Sequence, residues 1–84
     1  MSEISRLRWL CRRGMKELDL LMERYLDHSF DRASQQDQQA FRAILQMPDP
    51  ELYDLIVGRS SSSDPDIARV IHIMLEQSRN QAGA

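Results

Sequence analysis

The side chains able to do chemistry in this 84-residue chain are few and scattered. Its two histidines, His28 and His72, lie far apart, and the single Cys11 has no partner at metal-ligand spacing, so no zinc site is expected. A nucleophilic cysteine needs an adjacent base and a lowered pKa. Cys11 instead falls on the apolar side of a helical pattern, which reads as a core thiol. The glycines are Gly14, Gly58 and Gly83, too dispersed for a phosphate-cradling loop. Asp64 and Asp66 read as helix-start residues rather than paired catalytic carboxylates. No enzyme is expected, and no metal.

One stretch stands apart from this background: "CRRGMKELD", residues 11–19. A glycine between two helical patterns permits positive φ and a sharp turn. It also leaves no side chain there, so a partner's backbone can approach closely. Arg13 and Glu17 project from the same corner about one turn apart. They offer a cation and an acceptor to a partner surface, or to each other. Trp9 lies off the stripe formed by Ile4, Leu7 and Cys11, flanked by Arg6, Arg8, Arg12 and Arg13. An exposed Trp among arginines has the composition of a binding hot spot, and the alternative is a Trp folded onto the edge of a small core. Nucleic-acid binding is not expected, because the bases gather on the first helix and its exit rather than on a later recognition helix.

The elements that must position this corner are all helical. The first spans residues 3–13, with Ser2 as N-cap and Gly14 as the left-handed residue ending it. The second spans 15–27, with Leu18, Leu21, Met22 and Tyr25 on one face. A polar connection anchored by Phe30 leads to a third helix from Ser34, where Asp37 completes a weakened capping box. Ala40, Phe41, Ile44 and Leu45 are its buried stripe. The fourth takes Asp49 as N-cap, Pro50 at the first helical position and Gly58 as its stop. Leu52, Leu55 and Ile56 point inward there; Tyr53 and Asp54 do not. After the linker "RSSSSDPDI" and an Asp64-Pro65 cap, Ile67, Val70, Ile71, Met74 and Leu75 mark the last helix. Short loops between short amphipathic helices predict an all-α compact bundle of about five helices. One domain, 1–84, is expected, ordered over about 3–77 with 78–84 frayed.

Composition agrees. Apolar residues make up 42% and charged residues 29%, as in a soluble globular domain. No apolar run reaches the ~20 residues of a membrane span, so the chain is expected not to be membrane-embedded. The first residues lack the apolar core of a secretory signal, and a lone cysteine suits a reducing compartment, so a cytoplasmic location is expected. The net charge is −2, yet residues 1–16 carry Arg6, Arg8, Arg12, Arg13 and Lys16 against Glu3 alone. The remainder holds twelve acids against six bases: an acidic body with one basic end. Polar outer faces predict a monomer.

"RGMKE" matches Arg-Gly-x-x-Glu, and the chain resembles the succinate dehydrogenase assembly factor family. "RLRWLCRRGMKELDLLMERYL" is similar to that family's N-terminal half, and "MPDPELYDLIVG" to its Asp-Pro-x-Leu segment. The resemblance covers roughly residues 5–77. It implies a non-enzymatic chaperone that binds the flavoprotein subunit of succinate dehydrogenase, and in some bacteria that of fumarate reductase. Its role would be to promote covalent FAD attachment. The client forms the histidyl–flavin bond itself, and the factor holds it in a competent arrangement. On that resemblance Arg13, Gly14 and Glu17 are the client-facing motif. Arg6, Arg8, Trp9 and Asp19 surround it, and Asp49 and Pro50 hold the neighbouring helix start. The factor is expected to carry no cofactor of its own, FAD residing on the client. Some family members carry a second designation, antitoxin partner of a membrane-associated toxin, which stands as the alternative reading.

Overall fold

Helix starts in this chain are written by oxygen-bearing side chains and prolines. The structure, a computed structural model, describes residues 2–82. Helix α1 is Glu3–Leu10, α2 Lys16–His28, α3 Gln35–Leu45, α4 Asp49–Val57 and α5 Pro65–Ala82, with a single 3-10 turn at Phe30–Arg32 before α3. Ser2 Oγ accepts the Ser5 N–H at 3.1 Å, and Ser34 Oγ accepts the Asp37 N–H at 3.1 Å. Asp64 Oδ1 accepts the Asp66 N–H at 2.8 Å. Each satisfies an amide that the first turn leaves without a partner. At the far end of α4, Gly58 adopts φ +84°, the left-handed stop its position requires. No strand occurs among the described residues, and the all-α bundle is the observed architecture.

The apolar stripes meet in one cluster. Phe41 is fully buried and stacks against Tyr25 with ring centroids 4.8 Å apart and against Phe30 at 5.7 Å. Helix α5 lies across α2 and α3, while α1 closes over α2 and α3 and α4 rests on α5. Leu7, Cys11, Leu18, Met22, Ile44, Leu52, Val70 and Met74 are buried in the same cluster. Each such side chain contributes about 1.5–3 kcal/mol of burial. That sum turns helices too short to persist alone into a stable domain.

Boundaries differ from expectation at two places that matter for the site. Helix α1 ends at Leu10, not Arg13: the Cys11 N–H bonds to both Leu7 and Arg8 carbonyls, and the Arg12 N–H to Trp9. The last turn tightens and the chain leaves the helix. Gly14 is therefore not the stop of α1 but the bend of a five-residue connector, residues 11–15. Helix α4 is capped by Pro48 rather than Asp49, with the Leu52 N–H bonding to the Pro48 carbonyl at 3.0 Å. That places Asp49 first and Pro50 second in the helix. Tyr53, expected outside, is half-buried against the core edge with the Arg59 guanidinium 6.0 Å from its ring centroid. Helix α5 runs to Ala82; Gly83 and Ala84 lie outside the described residues.

Candidate functional site

The corner between α1 and α2 is fastened from both sides, and its central residue is a glycine. Gly14 has φ +84°, a backbone conformation that costs L side chains about 1–2 kcal/mol. It is exposed, and a Cβ built there would meet no heavy atom within 4 Å. Any steric demand at residue 14 therefore comes from outside the molecule.

Arg13 organises the inside of the corner. Its side chain is only 11% exposed. The Nη1 group donates to the Met47 carbonyl and to Asp49 Oδ1, the latter at 2.9 Å. The Nη2 group donates to the Leu45 carbonyl, and Nε is buried without a partner. The backbone N–H of Arg13 is held by Asp19 Oδ1 at 2.8 Å. The guanidinium thus covers carbonyls that the end of α3 leaves unpaired, where a cation is also favoured by the helix dipole. Of the two roles open to Arg13 and Glu17, pairing with each other does not occur, and Arg13 pairs with Asp49. Glu17 is exposed in the first turn of α2 and makes no ion pair among the described residues.

Around this bend, Arg12, Gly14, Lys16, Asp19, Leu20 and Glu23 line an open groove. Trp9 lies on the surface at 73% exposure, resolving its two readings in favour of the outward one. Arg8 reaches Asp27 at 2.6 Å and is held more firmly charged by that hydrogen bond. Arg12 lies 3.9 Å from Glu23, so both ties run from the α1 end to α2. Arg6 and Pro50 are exposed. Of the residues the sequence singled out, Arg13, Asp19 and Asp49 form one hydrogen-bonded cluster beneath the bend. Gly14, Glu17, Trp9, Arg6 and Pro50 are exposed, and Arg8 is half-buried in its pair with Asp27.

Sequence reasoning did not include Leu20, which is 43% exposed at the groove. The signal was present, since Leu20 falls off the Leu18–Leu21–Met22–Tyr25 stripe. The Leu45 and Met47 carbonyls carried no signal, being backbone atoms.

Reactive chemistry is absent from this corner. Cys11 is completely buried, and burial, followed by the nearby Glu23 charge, pushes its thiol up to about 12. It stays protonated at neutral pH and is no nucleophile. Among the described residues no group of three His, Cys, Asp or Glu side chains could hold a metal ion. No helix among them is long and apolar enough to cross a membrane.

The corner thus presents an open groove at a bare glycine, and comparison with known proteins says to which family the chain belongs. The family model described as "Flavinator of succinate dehydrogenase" matches residues 5–78. The chain belongs to this family. The "FAD assembly factor SdhE" of Idiomarina loihiensis is 39% identical over 72 residues, covering 86% of this chain and 80% of that protein. The protein of the same name from Shewanella oneidensis is 38% identical over 71 residues, 84% of this chain and 87% of its own length. That of Pectobacterium atrosepticum is 35% identical over 77 residues, 92% and 85% respectively. Within this flavinator family, the matched span includes most of α1, all of α2 to α4, the corner and most of α5.

Proposed function

We propose that this chain is an assembly factor that binds the flavoprotein subunit of succinate dehydrogenase and promotes its covalent FAD attachment. The observation that carries the reading is the family match over residues 5–78. The corner gives it a physical form. Gly14 lets the client backbone come close, Glu17 accepts a hydrogen bond from it, and Trp9 supplies apolar contact beside Arg6 and Arg12.

The factor works by binding and not by acid–base or covalent catalysis. Its thiol is sealed in the core. Binding selectively to the competent arrangement of the client raises that arrangement's population. Shifting it from 1:99 to 99:1 takes about 10⁴-fold preferential affinity, or about 5.5 kcal/mol. Three hot-spot side chains at about 2 kcal/mol each reach that figure. On this reading the factor carries no flavin of its own, acts as a monomer in the cytoplasm, and can serve a fumarate reductase flavoprotein by the same surface. The relatives above are named for FAD assembly and not for toxin neutralisation, so the antitoxin reading has no support from them.

The test is reconstitution. Purified apo-flavoprotein subunit is incubated with FAD, with and without this protein, and covalent flavin is followed by fluorescence after denaturation. A faster rate that saturates with added factor is the expected result. An unchanged rate at all factor concentrations would contradict the assembly role.

A further inference from the structure

We propose that Arg13 is a positioning residue, which acts on the client through the corner it holds and does not touch the client itself. This rests on the assembly role above and reassigns one residue of its motif. The guanidinium is turned inward, with Nη1 and Nη2 donating to Leu45, Met47 and Asp49 and Nε buried beside them. Its own amide is tied to Asp19. Residue 13 is therefore anchored at its backbone to α2 and at its tip to the α3–α4 junction. The next residue is the one whose φ is +84°. With both anchors in place, Gly14 and the first turn of α2 that carries Glu17 have one orientation. Without them the connector, which lacks a side-chain cap at the α2 start, can swing. Arg12, the preceding residue, has a side chain 74% exposed and, with the exposed Lys16, is a cation this corner shows to a partner.

Two measurements on the full chain separate positioning from contact. The first is labelling with phenylglyoxal, which modifies accessible guanidiniums, read by mass spectrometry with and without the client subunit. In the free wild type Arg12 reacts readily and Arg13 resists, and client leaves Arg13 unchanged. Asp49→Asn, which loosens the clamp without altering Arg13, makes Arg13 reactive. The second is the flavin incorporation rate against factor concentration, under conditions where every variant is fully folded by circular dichroism. Asp49→Asn and Arg13→Gln raise the half-saturating concentration, the latter about tenfold, while the maximal rate is retained. The double variant is no worse than Arg13→Gln, as expected for two ends of one clamp.

Should Arg13→Gln fail to fold, Asp49→Asn carries both measurements. Arg13 labelling as fast as Arg12 and protected by client would overturn the inference. So would a raised half-saturation in Asp49→Asn with Arg13 still resistant, which would put Asp49 against the client. Lower unfolding midpoints with wild-type half-saturation would reduce the clamp to a purely structural one and overturn it too. Wild type that fails to accelerate flavin attachment refutes the assembly role itself, a separate outcome.

Discussion

Replacing Gly14 separates what the corner demands of its own fold from what it demands of a partner. Any residue with a Cβ at φ +84° incurs about 1–2 kcal/mol of backbone strain. In a domain of this length each kcal/mol lowers the melting temperature by about 4–8 °C. Because nothing lies within 4 Å of the added Cβ, the side chain beyond it adds no further internal clash. Gly14→Ala and Gly14→Arg should therefore unfold within about 0.5 kcal/mol of one another in urea. Gly14→Asn should lie nearer wild type, since Asn tolerates the left-handed region. In the reconstituted flavin assay the variants diverge. Gly14→Ala raises the half-saturating concentration no more than about tenfold, and Gly14→Arg raises it at least about a hundredfold, because its long side chain occupies the client's space. Equal flavin attachment by the two would refute close approach at residue 14. A Gly14→Arg protein less stable than Gly14→Ala by more than about 2 kcal/mol would refute the open corner.

Trp9→Ala removes a side chain 73% exposed, so unfolding free energy changes by no more than about 0.5 kcal/mol. The half-saturating factor concentration rises about thirtyfold if Trp9 is a hot spot worth about 2 kcal/mol. Phe41→Ala empties the centre of the core and costs about 3–5 kcal/mol in urea unfolding, enough to leave so small a domain partly unfolded. Cys11 should resist thiol reagents in the native state and react on unfolding. Its pKa rises from 9.0 to about 12 on folding, so stability is full below pH 9. It is lost as pH rises from there to about 12, because only the unfolded chain releases the proton. Buried Tyr25 adds to the same alkaline loss between 10.0 and about 12. Urea midpoints across this range should fall less steeply for Cys11→Ala than for wild type.

Much of the fold was legible because it depends on local rules. Ser2, Ser34 and the Asp64-Pro65 pair start helices by chemistry within three residues, and the apolar spacing of Val70, Ile71 and Met74 names the buried face of α5. The corner was legible in its glycine, while the inward contacts of its arginine were not. The backbone of Gly14 is positive in φ as its position suggested, but α1 already stops at Leu10. Beyond that end, Arg13 reaches carbonyls more than thirty residues ahead. No periodicity encodes a side chain pairing with backbone atoms of a distant loop. Asp49 shows the same limit: Asp before Pro reads as an N-cap, yet its carboxylate is drawn to Arg13 and the cap falls to Pro48.

The measurement that tests the central claim most directly is covalent flavin in the succinate dehydrogenase flavoprotein subunit of a deletion strain. It is read as in-gel fluorescence, with the gene restored as wild type or as Gly14→Arg. The account predicts little covalent flavin in the deletion, recovery with wild type, and none with Gly14→Arg although that protein accumulates. Normal flavin in the uncomplemented deletion would contradict the account.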